Sequence, residues 1–173
     1  GKTQLFANEA ISLLKENDNA LLITGSDCLS DINIFEQLKN NLRLSFDFEN
    51  LIDILEVIGE KNRKIIPIFI DALNESWKPQ LWKSVLPILH KKISEKNYVR
   101  LAVSFRSEYQ NSILPDGFLK LDDIVKIEHR GFRDNPFEAA RQFLIYYGIQ
   151  FTPLHMFNAN VYNPLFLTLY CKT

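Results

Sequence analysis

The chain lacks an excess of either charge: 20 lysines and arginines meet 21 aspartates and glutamates, for a net charge of −1. That balance argues against a nucleic-acid surface or a nucleic-acid motor, either of which needs a basic stripe. No apolar run approaches the roughly 18 residues of a membrane span, and no signal peptide is visible. The expected setting is therefore cytoplasmic, with no membrane partner. Cysteine is nearly absent: Cys28 and Cys171 stand far apart, with no Cys or His neighbour at ligand spacing. A disulfide framework and a zinc site are both excluded, and reduced structural thiols remain. His90, His129 and His155 show no metal spacing either and take no role. Internal repeats and low-complexity linkers are missing. So is an initiating methionine, because the chain opens on "GKTQL". It reads as a piece excised from something longer.

What is present suits a globular protein. At 173 residues and 46% hydrophobic content, one domain with a small appended lobe is expected. Residues 3–15 place Leu5, Phe6, Ala10, Ile11 and Leu14 on one helical face. "ALLITGS" (20–26) reads as a short buried strand. "FDFENLIDILEVIGE" follows as a helix, with Asp47 as its N-cap. "KIIPIFIDALNE" is a near-continuous apolar strand ending on Asp71. "LWKSVLPILHKKI" is helical, and Pro87 should kink or break it. "YVRLAVSFRSEY" supplies a third strand, and "DIVKIEHRGF" a fourth by alternation. The run "HKKISEKN" is a solvated helix end. After Gly131 only helices follow. Asn135 as N-cap, Pro136, Glu138 at the capping-box position and Gly148 bracket one of them, and Asn163–Pro164 open another. Strands alternating with helices to about 131, then helices alone, predict an α/β core (1–131) and a helical lobe (132–173).

Three stretches could carry chemistry. Gly-Lys-Thr before a helix is how a phosphate-binding loop ends: backbone N–H groups and the helix N-terminus cradle phosphate, the lysine reaches its outer oxygens, and the hydroxyl ligates magnesium. Those roles fall to Gly1, Lys2 and Thr3. Some 70 residues on, an apolar strand delivers Asp71 to the carboxyl edge of the sheet, where such folds bind ligands. Asp71 would hold the metal's water shell, and Glu75 could polarise an attacking water. The next strand brings Ser104 and Arg106 to the same edge, and Arg suits bidentate phosphate contact. Each also has a plainer reading: a polar terminus, an acidic turn, a surface arginine paired with Glu108. The aromatic residues Phe137, Phe143, Tyr146, Tyr147, Phe157, Tyr162, Phe166 and Tyr170 read mostly as core.

"GKT", "IFIDALNE", "VSFRSEY", "GFRDNPFEAARQFL" and "NPLFLTLYC", in this order, resemble the NTPase core of STAND-type signalling ATPases, which include the NACHT and apoptotic-ATPase branches. "DALNE" and "NPLFL" are most similar to bacterial Avs-like antiviral proteins. The resemblance covers nearly the whole chain. It implies a three-layer αβα P-loop fold with a mostly parallel sheet, here without the strand that leads into the phosphate loop, which in such a family sits mid-sheet. Lys2 and Thr3 match the end of Walker A, Asp71 the Walker B aspartate, Glu75 the second acidic position of the NACHT motif and Arg106 the sensor arginine. Pro164 falls where the family's lobe places a proline near the adenine; it is also a plain helix start. Asn74 stands where the first acidic residue is expected. That leaves one acidic candidate for water activation and puts brisk hydrolysis in question.

The resemblance further implies ATP, ADP and Mg²⁺ as ligands. It implies a slow ATPase switch that oligomerises with its own copies. The parent protein would carry an effector and a sensor directed against phage, with a phage protein as a candidate partner of domains outside this chain. A fragment without the central strand is expected to be inactive alone. The alternative is a nucleotide-independent interaction module that keeps the same fold.

Overall fold

The computed structural model describes residues 2–128, 135–150 and 164–172. Gly1, His129, His155, Phe157, Tyr162 and Asn163 lie outside the described residues. The chain divides into a larger unit, Lys2–Lys126, and a smaller one over Ile127–Thr173.

The larger unit is α/β. Helix α1 (Lys2–Lys15) precedes β1 (Leu21–Thr24). Helices α2 (Ile34–Asn41) and α3 (Phe48–Asn62) lead to β2 (Ile66–Asp71), α4 (Trp82–Ser94) leads to β3 (Val99–Val103), and a single turn, α5 (Gln110–Ile113), follows. The strands form a parallel sheet in the order β1-β2-β3. Leu21, Ile68 and Leu101 stand in register, as do Ile23, Ile70 and Val103. Because side chains alternate across a strand, these residues share one face. There they join a core with Leu38, Phe48, Ile52, Trp82 and Leu89 from α2, α3 and α4. The opposite face carries Leu22, Phe69 and Ala102, and α1 covers it by setting Phe6 against Phe69 with ring centroids 4.9 Å apart.

Several local expectations need correction. On α1, Ala10 is buried while Leu5, Ile11 and Leu14 are exposed. The helix therefore sits rotated from the stripe its apolar residues suggest, because a sheet face offers it only a narrow contact. Asp47 is the N-cap residue of α3 as expected, but its carboxylate makes no capping bond and pairs with Lys39 at 3.0 Å. Helix α4 runs through Pro87 without a break. Residues 123–128, expected to begin a fourth strand, are not a strand, and Val125 and Ile127 are 82% and 87% exposed. Alternation alone does not make a strand; it must pair with a neighbour, and these residues pair with none among the described residues. Helix α2 gave little apolar signal in its sequence. It is set by Asn33, whose side chain accepts from the Phe35 N–H at 2.8 Å, and by buried Gln37, which bonds Ser30 and Ile32.

In the smaller unit, α6 (Pro136–Tyr146) and α7 (Pro164–Lys172) pack through Ala140, Leu144 and Leu167. Gly148 takes φ +70°, its N–H bonding Ile145 and the Ile149 N–H bonding Leu144. This is the glycine-closed helix end that the sequence suggested. The capping box does not form: the Asn135 side chain makes no capping bond, and Glu138 turns to Arg141 at 3.0 Å. Tyr146 lies exposed, and Phe143 stacks near Tyr147 at 5.2 Å.

Candidate functional site

The site is built at the carboxyl ends of the strands. The chain leaves β2 at Asp71, which sits beside Thr24 in register and on the α1 face of the sheet. Asp71 is 2% exposed. A carboxylate buried this deeply needs a donor, and Ser104 provides one: its hydroxyl donates to Asp71 Oδ1 and accepts the Ala72 N–H at 3.0 Å. The Ser104 backbone extends the ladder, with its N–H to Ile70 at 3.0 Å and its carbonyl taking the Leu73 N–H at 2.9 Å. Ser104 thereby fastens the end of β3 to both the carboxylate and the turn that follows it.

That turn is held rigidly. Ala72 adopts the left-handed region at φ +53°, a conformation that costs a non-glycine residue roughly 1 kcal/mol. Its carbonyl lies over Gly25, where an added Cβ would come within 2.3 Å of the oxygen. Glycine at the end of β1 is therefore what lets the β1 and β2 loops meet. Leu73 is fully buried, and the Ser76 hydroxyl donates to its carbonyl at 2.8 Å while accepting the Trp82 indole N–H at 2.7 Å. The Trp77 N–H bonds the Cys28 carbonyl at 2.9 Å. Asn74 and Glu75 ride on this braced turn. Glu75 is solvent-exposed, while the Asn74 Oδ1 accepts the Arg106 N–H at 3.0 Å.

Lys2 arrives from the other side. It opens α1, and its ammonium group donates to the carbonyl of Phe105. Lys2, Ser104–Arg106 and Asp71–Glu75 thus meet at one rim, although as many as 104 positions separate them in the chain. Thr3 is exposed in the first turn of α1. Arg106 is exposed too, and its guanidinium pairs neither with Glu108 nor with any other described carboxylate. Pro164 opens α7 in the smaller unit. Beside the rim, a separate hydroxyl cluster forms where the Thr24 hydroxyl bonds Ser26 and Asp27 at 2.9 and 2.7 Å.

Among the described residues, no group of three His, Cys, Asp or Glu side chains could hold a metal by itself. The rim instead offers one buried carboxylate, one hydroxyl at a helix start and two cations. Such a set fits magnesium only when phosphate and water supply most of its oxygens.

Ser104 and Asn74 are the residues whose part the sequence concealed. Ser104 stood out only as polar at a strand end, and Asn74 only as a replaced acid. Neither type signals that it bonds across a sheet. The Gly25 contact had one available signal, a glycine closing an apolar run. Compared with known proteins, the chain matches no protein-family model, and a search of curated proteins returned no match. Among the described residues, no helix is long and apolar enough to cross a membrane.

Proposed function

We propose that this chain is the core of a nucleotide switch: a P-loop, STAND-type ATPase domain that binds ATP and ADP with Mg²⁺ and controls self-association. The observation that carries the reading is convergence. Lys2 bonds the Phe105 carbonyl, Ser104 holds Asp71, and Arg106 follows directly, so three motifs far apart in sequence share one rim. Random polar residues have no reason to converge at the sheet edge where α/β folds bind ligands.

The roles follow from position. Lys2 would leave the Phe105 carbonyl for the outer phosphate oxygens, assisted by the N-terminus of α1. Magnesium, when bound with the phosphates, would neutralise their charge and orient them. Asp71, its rotamer fixed by Ser104, would face that ion together with Thr3. Arg106, with no carboxylate partner, is available to a terminal phosphate. Glu75, exposed one turn beyond Asp71, would orient water, and with Asn74 beside it turnover is slow. The nucleotide contacts assigned to Gly1 and Pro164 rest on the resemblance alone.

Topology supports the same reading. Right-handed crossovers on one face step the strands from β1 to β3, so a helix on the opposite face steps the other way. Helix α1 lies on that opposite face with Lys2 beside the end of β3. A strand entering α1 on this topology would therefore pair with the edge of β3, which has no partner among the described residues. Effector, sensor, antiphage role and cytoplasmic setting belong to the complete protein and rest on the resemblance alone.

The test is nucleotide binding by the complete protein beside Lys2→Ala and Asp71→Ala. We expect Lys2→Ala to lose roughly 100-fold in ATP affinity, as removal of a charge-assisted phosphate contact implies. Asp71→Ala should abolish the dependence on magnesium. Equal affinity in all three proteins would sink the switch and leave an interaction module that keeps the fold.

A further inference from the structure

The contact between Asn74 and Arg106 has a consequence for how the rim distinguishes ligands. The β2–β3 ladder ends with the bond from the Leu73 N–H to the Ser104 carbonyl. Beyond that point the β3 chain is held by side chains: Lys2 takes the Phe105 carbonyl, and Asn74 Oδ1 takes the Arg106 N–H at 3.0 Å. Arg106 is otherwise exposed, in an extended conformation (φ −80°, ψ 141°), with a guanidinium that has no partner among the described residues. The backbone at the origin of this long side chain is therefore held at its N–H by one neutral amide, while its carbonyl accepts the Tyr109 N–H at 3.0 Å. That amide belongs to the turn carrying Asp71 and Glu75, which Leu73, Ser76 and Trp82 brace.

We propose that Asn74 is the positioning residue for Arg106, coupling it to the Asp71 turn so that the rim favours a nucleoside triphosphate over a diphosphate. This rests on the nucleotide-switch reading. The residue type suits the task. An amide oxygen accepts the backbone N–H as a carboxylate would, yet adds no negative charge next to a guanidinium meant for phosphate. Asp71 and Asn74 share one turn, so Asp71, were it to hold a metal, would be linked to the Arg106 backbone through Asn74. When Lys2 moves to phosphate, the Phe105 carbonyl is released and Asn74 remains the one side chain that ties the Arg106 N–H to the Asp71 turn. Asn74 touches no reacting atom; it acts through Arg106.

The experiment measures binding of ADP and of a non-hydrolysable ATP analogue to the complete protein, as wild type, Lys2→Ala, Asn74→Ala, Asn74→Asp and Arg106→Ala. Amide exchange at residue 106 is followed in parallel. Asn74→Ala should lose about tenfold of the preference for triphosphate, the worth of one oriented contact, with ADP affinity unchanged. Its residue-106 amide should exchange faster. Asn74→Asp, which keeps an acceptor, should restore the slow exchange and most of the preference. Arg106→Ala should match Asn74→Ala, and a further protein combining Asn74→Ala with Arg106→Ala should lose no more than either alone. An unchanged preference in Asn74→Ala overturns the inference, as does an equal loss for both nucleotides, which marks a merely structural residue. If wild type binds nucleotide and Lys2→Ala does not, such a result removes only the role of Asn74. If wild type binds neither nucleotide, the switch reading falls and this inference falls with it.

Discussion

On one face of β2 stand Ile66, Ile68 and Ile70, each at most 1% exposed and covered by the helices that follow β1 and β2. On the other stand Pro67, Phe69 and Asp71, where α1 lies across the sheet and Leu22 of the neighbouring strand remains 38% exposed. Lys2, Asp71 and Ser104 all belong to the thinly covered side or its rim. The thick face consists of apolar side chains with nothing left to bind. The thin face presents a carboxylate, a hydroxyl and an ammonium group at a strand terminus. Division of labour across one sheet follows from that. Stability is concentrated where the helices are, and the polar groups gather at the rim of the thinly covered face.

Substituting the same residue type on the two faces measures the difference directly. Phe48→Ala, in the thick core and 1% exposed, should destabilise by about 4–5 kcal/mol in urea denaturation, because the cavity has no solvent to fill it. Gly25→Ala should follow at about 3 kcal/mol, since overpacking against backbone cannot be relieved by a rotamer change and the new Cβ would meet the Ala72 carbonyl oxygen at 2.3 Å. It should also disturb the turn after Asp71, so magnesium-dependent binding should weaken beyond what the stability loss explains. Phe69→Ala, on the thin face at 7% exposure, should cost only about 2 kcal/mol, because α1 can settle toward a half-open surface. If Phe69→Ala proves as costly as Phe48→Ala, the two faces are equivalent and the comparison breaks.

The same asymmetry governed what could be read from sequence. Strands β1, β2 and β3 were legible because a helix-covered parallel sheet writes near-continuous apolar runs such as Ile66–Ile70. Gly148 marked the end of α6 for an equally local reason. Where position depends on what lies opposite, letters fell short. Leu5, Ile11 and Leu14 looked like a core stripe, yet the thin face takes only a narrow strip of α1 around Phe6 and Ala10. Val125 and Ile127 alternate like a strand but pair with no strand among the described residues. At the rim, Lys2, Asp71 and Arg106 were visible as types that handle phosphate and metal. Their mutual placement through Ser104, Asn74 and Phe105 was not, because a hydrogen bond between residues 71 and 104 leaves no trace at either position alone.

A last difference between the faces can be read by titration. Cys28 is 1% exposed in the thick core, where burial first, and the neighbouring Asp27 charge second, push its thiol up from 9.0 to about 11. The folded state therefore holds this proton more tightly than the unfolded state. Below about pH 9 both states carry it and stability does not depend on Cys28. Between about 9 and 11 only the folded state does, so stability falls as pH rises, by roughly 2 kcal/mol in all. Urea midpoints from pH 8 to 11 should show that decline, and Cys28→Ala should flatten it while lowering stability at pH 8. At pH 8 the native thiol should also react with a small alkylating reagent about 100-fold more slowly than a free cysteine, because two units of pKa remove that share of thiolate. Rapid alkylation of folded protein at pH 8 would mean that water reaches Cys28 and that the thick face is less closed than its isoleucines indicate.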